Sequence, residues 1–140
     1  MSKLSEDQKY QIITILRDLA AIDRNFDLLE AVRIRLIGLK MDLHAAKIDE
    51  ALSEDFESLD SIIKRLEIFE DEAHKKYLYQ QCVLLLLANN EITSEEQKSI
   101  DQIQAALSID QDFHQQVMDW AKQGMAWEEQ GQQLTGLSFG

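Results

Sequence analysis

A chain of 140 residues, 45% hydrophobic and 29% charged, has the size of one folded domain that buries roughly 68–70% of its unfolded surface, and it is too apolar for a disordered acidic tail. Its net charge of −12 is spread over both halves, with 15 acids against 10 bases in residues 1–70 and 11 against 4 in residues 71–140. No basic stripe exists to neutralise phosphates, which excludes nucleic acid and anionic membrane as expected partners and leaves a cation or a basic protein face.

The sequence contains no proline, the residue that most firmly stops a helix, so an all-α fold is the first expectation. Cys82 is the single cysteine and lies in an apolar run. It cannot form an internal disulfide, and a thiol there serves as a small hydrophobe, which makes a cytoplasmic protein the simplest expectation. The first seven residues have no apolar signal core, and the longest unbroken apolar run, Cys82 to Ala88, is far shorter than a bilayer span.

In chain order, Ser5 with Gln8 forms a capping-box pattern, and Ile12, Ile13, Leu16, Leu19 and Ala20 recur at helical spacing, predicting a helix over about 6–22. Asp27 with Glu30 restarts a helix whose apolar face is Leu28 or Leu29, Val32, Leu36, Leu39 and Leu43, widened by Ile34, Ile37 and Met41. With its apolar stripe so widened, this second helix is expected to be nearly all buried. Gly38 within it reads as a point of close helix packing, or else as a local weakening that the fold tolerates.

After a turn at Met41 and Asp42, a short helix carries Ala45, Ala46, Ile48, Ala51 and Leu52. Ser53 is the expected N-cap of the next, with Phe56, Leu59, Ile62, Ile63 and Leu66 on its apolar face and Glu54, Asp55 and Glu57 in its first turn. A break is expected near Glu67 to Glu70, although positions 66, 69, 73 and 77 also suit one continuous helix. Residues 71–88 are the most apolar segment and the expected hub of the core. Thr93 with Glu96 opens a helix bearing Ile100 and Ile103, and Asp110 caps another bearing Phe113, Val117, Met118, Trp120 and Ala121. Gly124 is its expected stop, followed by a short helix over 125–134 and a fraying tail over 130–140.

A shift of 66 residues aligns the halves without a gap, pairing Ile12 with Leu78, Leu16 with Cys82, Leu19 with Leu85, Ile34 with Ile100, Met41 with Leu107, Leu43 with Ile109 and Ala51 with Val117. The polar corners fall in the same frame, Asp23 with Asn89, Asp27 with Thr93 and Glu30 with Glu96. The expected architecture is therefore an all-α single-domain bundle of about seven or eight helices in two pseudo-symmetric repeats, over about 6–52 and 72–122.

An apolar helix ending in Ala-Asn-Asn-Glu-Ile-Thr-Ser-Glu-Glu (residues 88–96), followed by Ile100, Ile103 and Ala106-Leu107-Ser108-Ile109, resembles the TerB-like (tellurite-resistance B) helical domain, with its Ala-Asp-Gly-x-Ile/Val-x-x-x-Glu corner. The resemblance spans about residues 10–120. It implies an all-α bacterial cytoplasmic domain connected with stress and tellurite response or used as a module in larger assemblies, with acidic corner residues that bind a divalent cation. This chain carries Asn89-Asn90 where the family has Asp-Gly, and Arg24 in place of Gly in the first corner.

If the two corners meet, Asp23, Asp27 and Glu30 with Asn89, Glu91 and Glu96 supply the oxygen donors that a hard cation such as Ca²⁺ or Mg²⁺ requires. The same residues also serve as plain helix caps, worth about 1 kcal/mol each, which is the expected role. Asp23, Asn25 and Asp27 match the start of an EF-hand loop, but Leu28 stands where that loop needs Gly and Ile34 where it needs Glu. His44, His74 and His114 are dispersed and read as surface residues, and Cys82 has no activating base beside it in sequence. No Gly-rich phosphate loop or nucleophile elbow occurs, so no enzyme is expected. Trp120 and Trp127, with Met118, Met125 and Phe113, either close the core, the expected role, or form an exposed patch for a protein partner.

Overall fold

The hydroxyl of Ser5 accepts the backbone N–H of Gln8 at 3.1 Å while the Gln8 side chain accepts the Ser5 N–H at 2.9 Å, the reciprocal box that opens α1 (Glu6–Ala20). Six further helices follow in the computed structural model: α2 (Leu28–Lys40), α3 (Ala45–Ser53), α4 (Leu59–Arg65), α5 (Glu72–Leu87), α6 (Ser94–Ala106) and α7 (Gln111–Thr135). The structure describes residues 3–22, 28–54, 58–87 and 92–136, and among these there is no strand. A 3-10 turn, Leu66–Ile68, closes α4, so the break before α5 is real, and the carboxylate of Asp71 restarts the chain by accepting the N–H groups of Ala73 at 2.8 Å and His74 at 3.3 Å.

The bundle is built on two helices. Every residue of α1 from Ile12 to Ala20 is buried, and α1 packs against α2, α3, α4 and α5, while α5 packs in turn against α1, α2, α6 and α7. One apolar cluster joins Ile12, Leu16 and Leu19 of α1 to Leu78, Cys82 and Leu85 of α5, Ile100 and Ile103 of α6 and Val117 of α7. The expected hub over 71–88 thus shares its place with α1, whose charged Arg17 and Asp18 are buried among its isoleucines and leucines.

Helix boundaries in the second half repeat those of the first at the spacing of 66: Glu6 and Glu72, Leu28 and Ser94, and Ala45 and Gln111 begin helices. The caps follow the same frame. Ser5 corresponds to Asp71, and His44, whose Nδ1 accepts the Ala46 N–H at 3.2 Å, corresponds to Asp110, whose carboxylate accepts the Phe113 N–H at 2.7 Å. Two residues past the end of α2 and of α6 stands a residue with positive φ, Asp42 and Ser108.

Four expectations are corrected. The second helix is far from fully buried: only Glu30, Ile34 and Gly38 are enclosed, and Leu28, Leu29, Val32, Leu36 and Leu39 face solvent on the opposite side. Ser53 does not cap the fourth helix, because it is the last residue of α3 and its hydroxyl donates back to the Glu50 carbonyl at 2.9 Å; Ser58 is the cap, while Phe56 lies outside the described residues. Gly124 is no stop. With a cost of only about 1 kcal/mol against Ala, a single glycine does not end a helix, and α7 runs unbroken through Gly124 and Gly131 to a left-handed Gly136 at φ 71°. That removes the separate helix over 125–134 and makes 130–135 helical rather than frayed. Trp120 and Trp127, finally, do not close the core, since both are exposed.

Gly38 has the close-packing role. A Cβ there would lie 2.7 Å from Cδ1 and 2.8 Å from Cγ1 of the buried Ile48, so α3 sits against bare α2 backbone.

Candidate functional site

The corner residues divide sharply. Asp23, Asp27, Asn89 and Glu91 lie outside the described residues. Glu30 and Glu96 are described, each only 3% exposed, in the first turns of α2 and α6. Glu96 completes a capping box: its Oε1 accepts the Thr93 N–H at 2.9 Å, and the Thr93 hydroxyl accepts the Glu96 N–H at 3.1 Å. Among the described residues no three His, Cys, Asp or Glu side chains gather as a metal site.

The principal buried polar cluster lies elsewhere, and no sequence motif announced it. Asp18, with no exposed surface, accepts from Arg17 Nε at 3.0 Å and Nη2 on one side and from Arg65 Nη2 on the other. Arg65 also donates to the Thr14 hydroxyl at 2.8 Å, and Arg17 reaches the carbonyls of Ala51, at 3.1 Å, and Glu54. Two guanidiniums around one carboxylate tie α1 to α4 and to the end of α3. Every named partner is a group of the protein's own scaffold, which gives the cluster a structural character. Its only sequence signal is a charged pair set between Leu16 and Leu19.

Nucleophilic chemistry finds little footing. Burial of Cys82 pushes its thiol up from 9.0 to about 12, so it stays protonated at neutral pH. His74 corrects the surface-histidine expectation, being buried with neither ring nitrogen hydrogen-bonded to a protein group among the described residues. His114 is half-buried, its Nδ1 in a hydrogen bond with the Tyr79 hydroxyl, and His44 alone is exposed, serving as a helix cap. An open groove of about 420 Å³ between α4, the 3-10 turn, α5 and the end of α6 is lined by Ile63, Leu66, Glu67, Phe69, Lys75 and Leu107.

The largest anomaly is on the surface. Leu28, 81% exposed, with Leu29, Val32, Leu36 and Leu39 occupies one arc of about 100° on the outer side of α2. The corresponding positions on α6, 66 residues on, are Ser94, Glu95, Lys98, Gln102 and Ala105, all exposed. One fold thus presents the same helix face twice, polar on α6 and aliphatic on α2, so the fold itself does not require the leucines. A second departure from the repeat is the length of α7. Where α3 ends at Ser53, α7 continues for sixteen residues past Asp119, and the face that carries half-buried Phe113 and buried Val117 runs on as Trp120, Gly124, Trp127, Gly131 and Leu134. Trp127 is 74% and Leu134 89% exposed.

No family model, curated protein or solved structure matches the chain.

Among the described residues, no helix is long and apolar enough to cross a membrane, so the α2 leucines are not part of a span. Apolar residues at 28, 29, 32, 34, 36, 37 and 39 fall on both the inner and the outer side of α2, and so wide a stripe does not tell in sequence which side is covered. The 66-residue alignment holds the corrective signal, since it sets five aliphatic residues opposite two charged, two polar and one small one.

Proposed function

We propose that the protein is a non-enzymatic helical binding module of the TerB-like type, an adaptor in bacterial stress or tellurite response, whose outer α2 face receives an apolar surface of a protein partner. The observation that carries this reading is the contrast between α2 and α6. Contiguous exposed aliphatic patches are uncommon on soluble monomers and mark interaction surfaces, and here the polar counterpart on α6 supplies an internal control. The repeated helix boundaries and the Thr93/Glu96 entrance support the TerB-like assignment.

The test is a photoreactive residue placed at Leu36 in the native host, with the same residue at Gln102 of α6 as control. Crosslinking to a polypeptide from position 36 and none from 102 is the expected result. Equal crosslinking at both, or none at either, removes the binding-module reading.

A second reading, a divalent-cation protein using the paired entrances, draws on the matched burial of Glu30 and Glu96. A cation that binds only the folded chain stabilises it by about 2.7 kcal/mol at a hundred times its Kd. A melting temperature unchanged by millimolar Ca²⁺, Mg²⁺, Mn²⁺ and Zn²⁺ rules it out.

A further inference from the structure

The aliphatic face of α2 and the projecting arm of α7 break the internal repeat, one in each half, and they are complementary in character. The outer face of α2 runs from Leu28 to Leu39, a rise of roughly 16 Å; the arm carries its large residues from Trp120 to Leu134, a rise of roughly 21 Å at 1.5 Å per residue. The α2 stripe fits within the length of the arm's, which is longer by about one helical turn.

Their charges also match. Helix α2 is the most basic helix of an acidic chain, with Arg33, Arg35 and Lys40 against Glu30, whereas α7 is the most acidic, with Asp112, Asp119, Glu128 and Glu129 against Lys122. Beyond Lys122 the arm's only charges are Glu128 and Glu129, so this part of α7 sets a net −2 against the net +2 of α2. Arg35 is paired with Asp49 of α3 but remains partly exposed, and Lys40 is exposed. A basic aliphatic helix and an acidic tryptophan-bearing helix suit each other better than either suits itself.

We infer that the occupant of the α2 face is the α7 arm of a second copy of this chain, in a reciprocal dimer with two equivalent contacts, α2 to α7 and α7 to α2. Such an arrangement closes under twofold symmetry and leaves neither stripe open, as an isologous dimer requires. At about 150–250 Å² per fully buried aromatic side chain, the exposed parts of Trp120 and Trp127 with Leu134 offer on the order of 400 Å² per arm. Matched on α2 and doubled by symmetry, the total reaches ~1,600 Å², a standard specific interface. The inference rests on α2 being a docking face and names what docks there.

The test uses the purified full chain in sedimentation equilibrium, with Leu36→Gln and Trp127→Gln as variants. Both positions are solvent-exposed within the single chain, and circular dichroism checks that each variant remains folded; Leu39→Gln and Leu134→Gln stand in if one does not. The wild type is expected at twice the chain mass. Each variant spoils both contacts of its own homodimer and raises the dissociation constant by roughly two orders of magnitude. An equimolar mixture of the two regains a heterodimer tighter than either homodimer, because one contact in it pairs an unaltered α2 with an unaltered α7.

A monomeric wild type overturns the inference, as does a dimer weakened by only one of the variants, which would indicate α2 pairing with α2 or α7 with α7. So does a mixture that recovers no heterodimer. A monomer in purified form that still crosslinks from position 36 in the host separates this failure from failure of the docking face itself.

Discussion

Asp42 and Ser108, 66 positions apart, hold the same left-handed backbone, with φ of 61° and 56°. Each lies one residue past the cap of its helix. The following N–H, of Leu43 or Ile109, reaches back to the carbonyl of Gly38 or Gln104 at 3.0 Å, while Asp42 and Ser108 donate to Leu39 and Ala105. That is the Schellman pattern, usually closed by glycine. A non-glycine residue in this region costs about 1–2 kcal/mol, less for Asp, whose side chain tolerates it. Ser108→Gly should therefore raise stability by about 1 kcal/mol and Asp42→Gly by less, read as a shift of the urea midpoint at constant slope. A loss of stability at both positions would remove this account.

Gly38 allows no such freedom in the opposite direction. A methyl group there meets the buried Ile48 at under 3 Å and Ile13 Cδ1 at 3.3 Å, and overpacking of this kind costs about 1–3 kcal/mol. Gly38→Ala should destabilise by that amount although alanine is the better helix former. Adding Ile48→Val, which removes the clashing Cδ1, should return part of the loss in a double-mutant cycle. Strict additivity of the two changes counts against the contact.

Helix entrances were legible in the sequence because capping is a local interaction: Ser5 with Gln8, Thr93 with Glu96 and Asp110 with Phe113 lie within one turn of chain. The start of α4 was misplaced for the same reason, since Ser53 and Ser58 are equally good local caps and tertiary packing chose between them. Burial was less legible. Leu36 and Ile34 are equivalent in composition, but one faces outward and the other is enclosed, and only the placement of α1 and α3 decides which. The Arg17–Asp18–Arg65 cluster was hidden because its partners are 47 residues apart in sequence. The candidate surface on α2 was visible only as a difference from α6.

The buried cluster and a surface pair give a direct comparison. Asp18 is fully enclosed between two guanidiniums, and removing one partner of a buried charge network costs about 3–5 kcal/mol because the remaining charges stay desolvated. Arg35 with Asp49 is an ion pair whose side chains are 44% and 54% exposed, which limits its worth to ~0–1 kcal/mol. Asp18→Ala should accordingly lower stability several times more than Asp49→Ala in the same denaturation experiment. Equal losses would place the weight of the α1–α4 junction on apolar packing instead.

Alkaline stability follows from the groups that the fold keeps neutral. Burial, and then the hydrogen bond and charge of Glu54, raises Tyr10 from 10.0 to about 12; burial alone raises Cys82 from 9.0 to about 12 and also raises Tyr77. Tyr79 is raised too, by burial and then by Cys82 and Asp101. In each case the unfolded chain loses its proton at a lower pH than the folded one, so over the intervening range the unfolded state binds fewer protons and stability falls as pH rises. These contributions are fully present below about pH 9 and are lost between about pH 9 and 12, the span from the unfolded Cys value to the folded Cys and Tyr10 values. Tyrosinate absorbance of the folded chain should therefore lag that of the chain in denaturant, and the two should merge only where the protein unfolds. Tyr10→Phe should make the loss of stability between pH 10 and 12 shallower, since it removes one group that titrates from 10.0 unfolded to about 12 folded. Superimposable tyrosinate curves for folded and denatured chain would mean that burial and Glu54 do not hold these hydroxyls neutral.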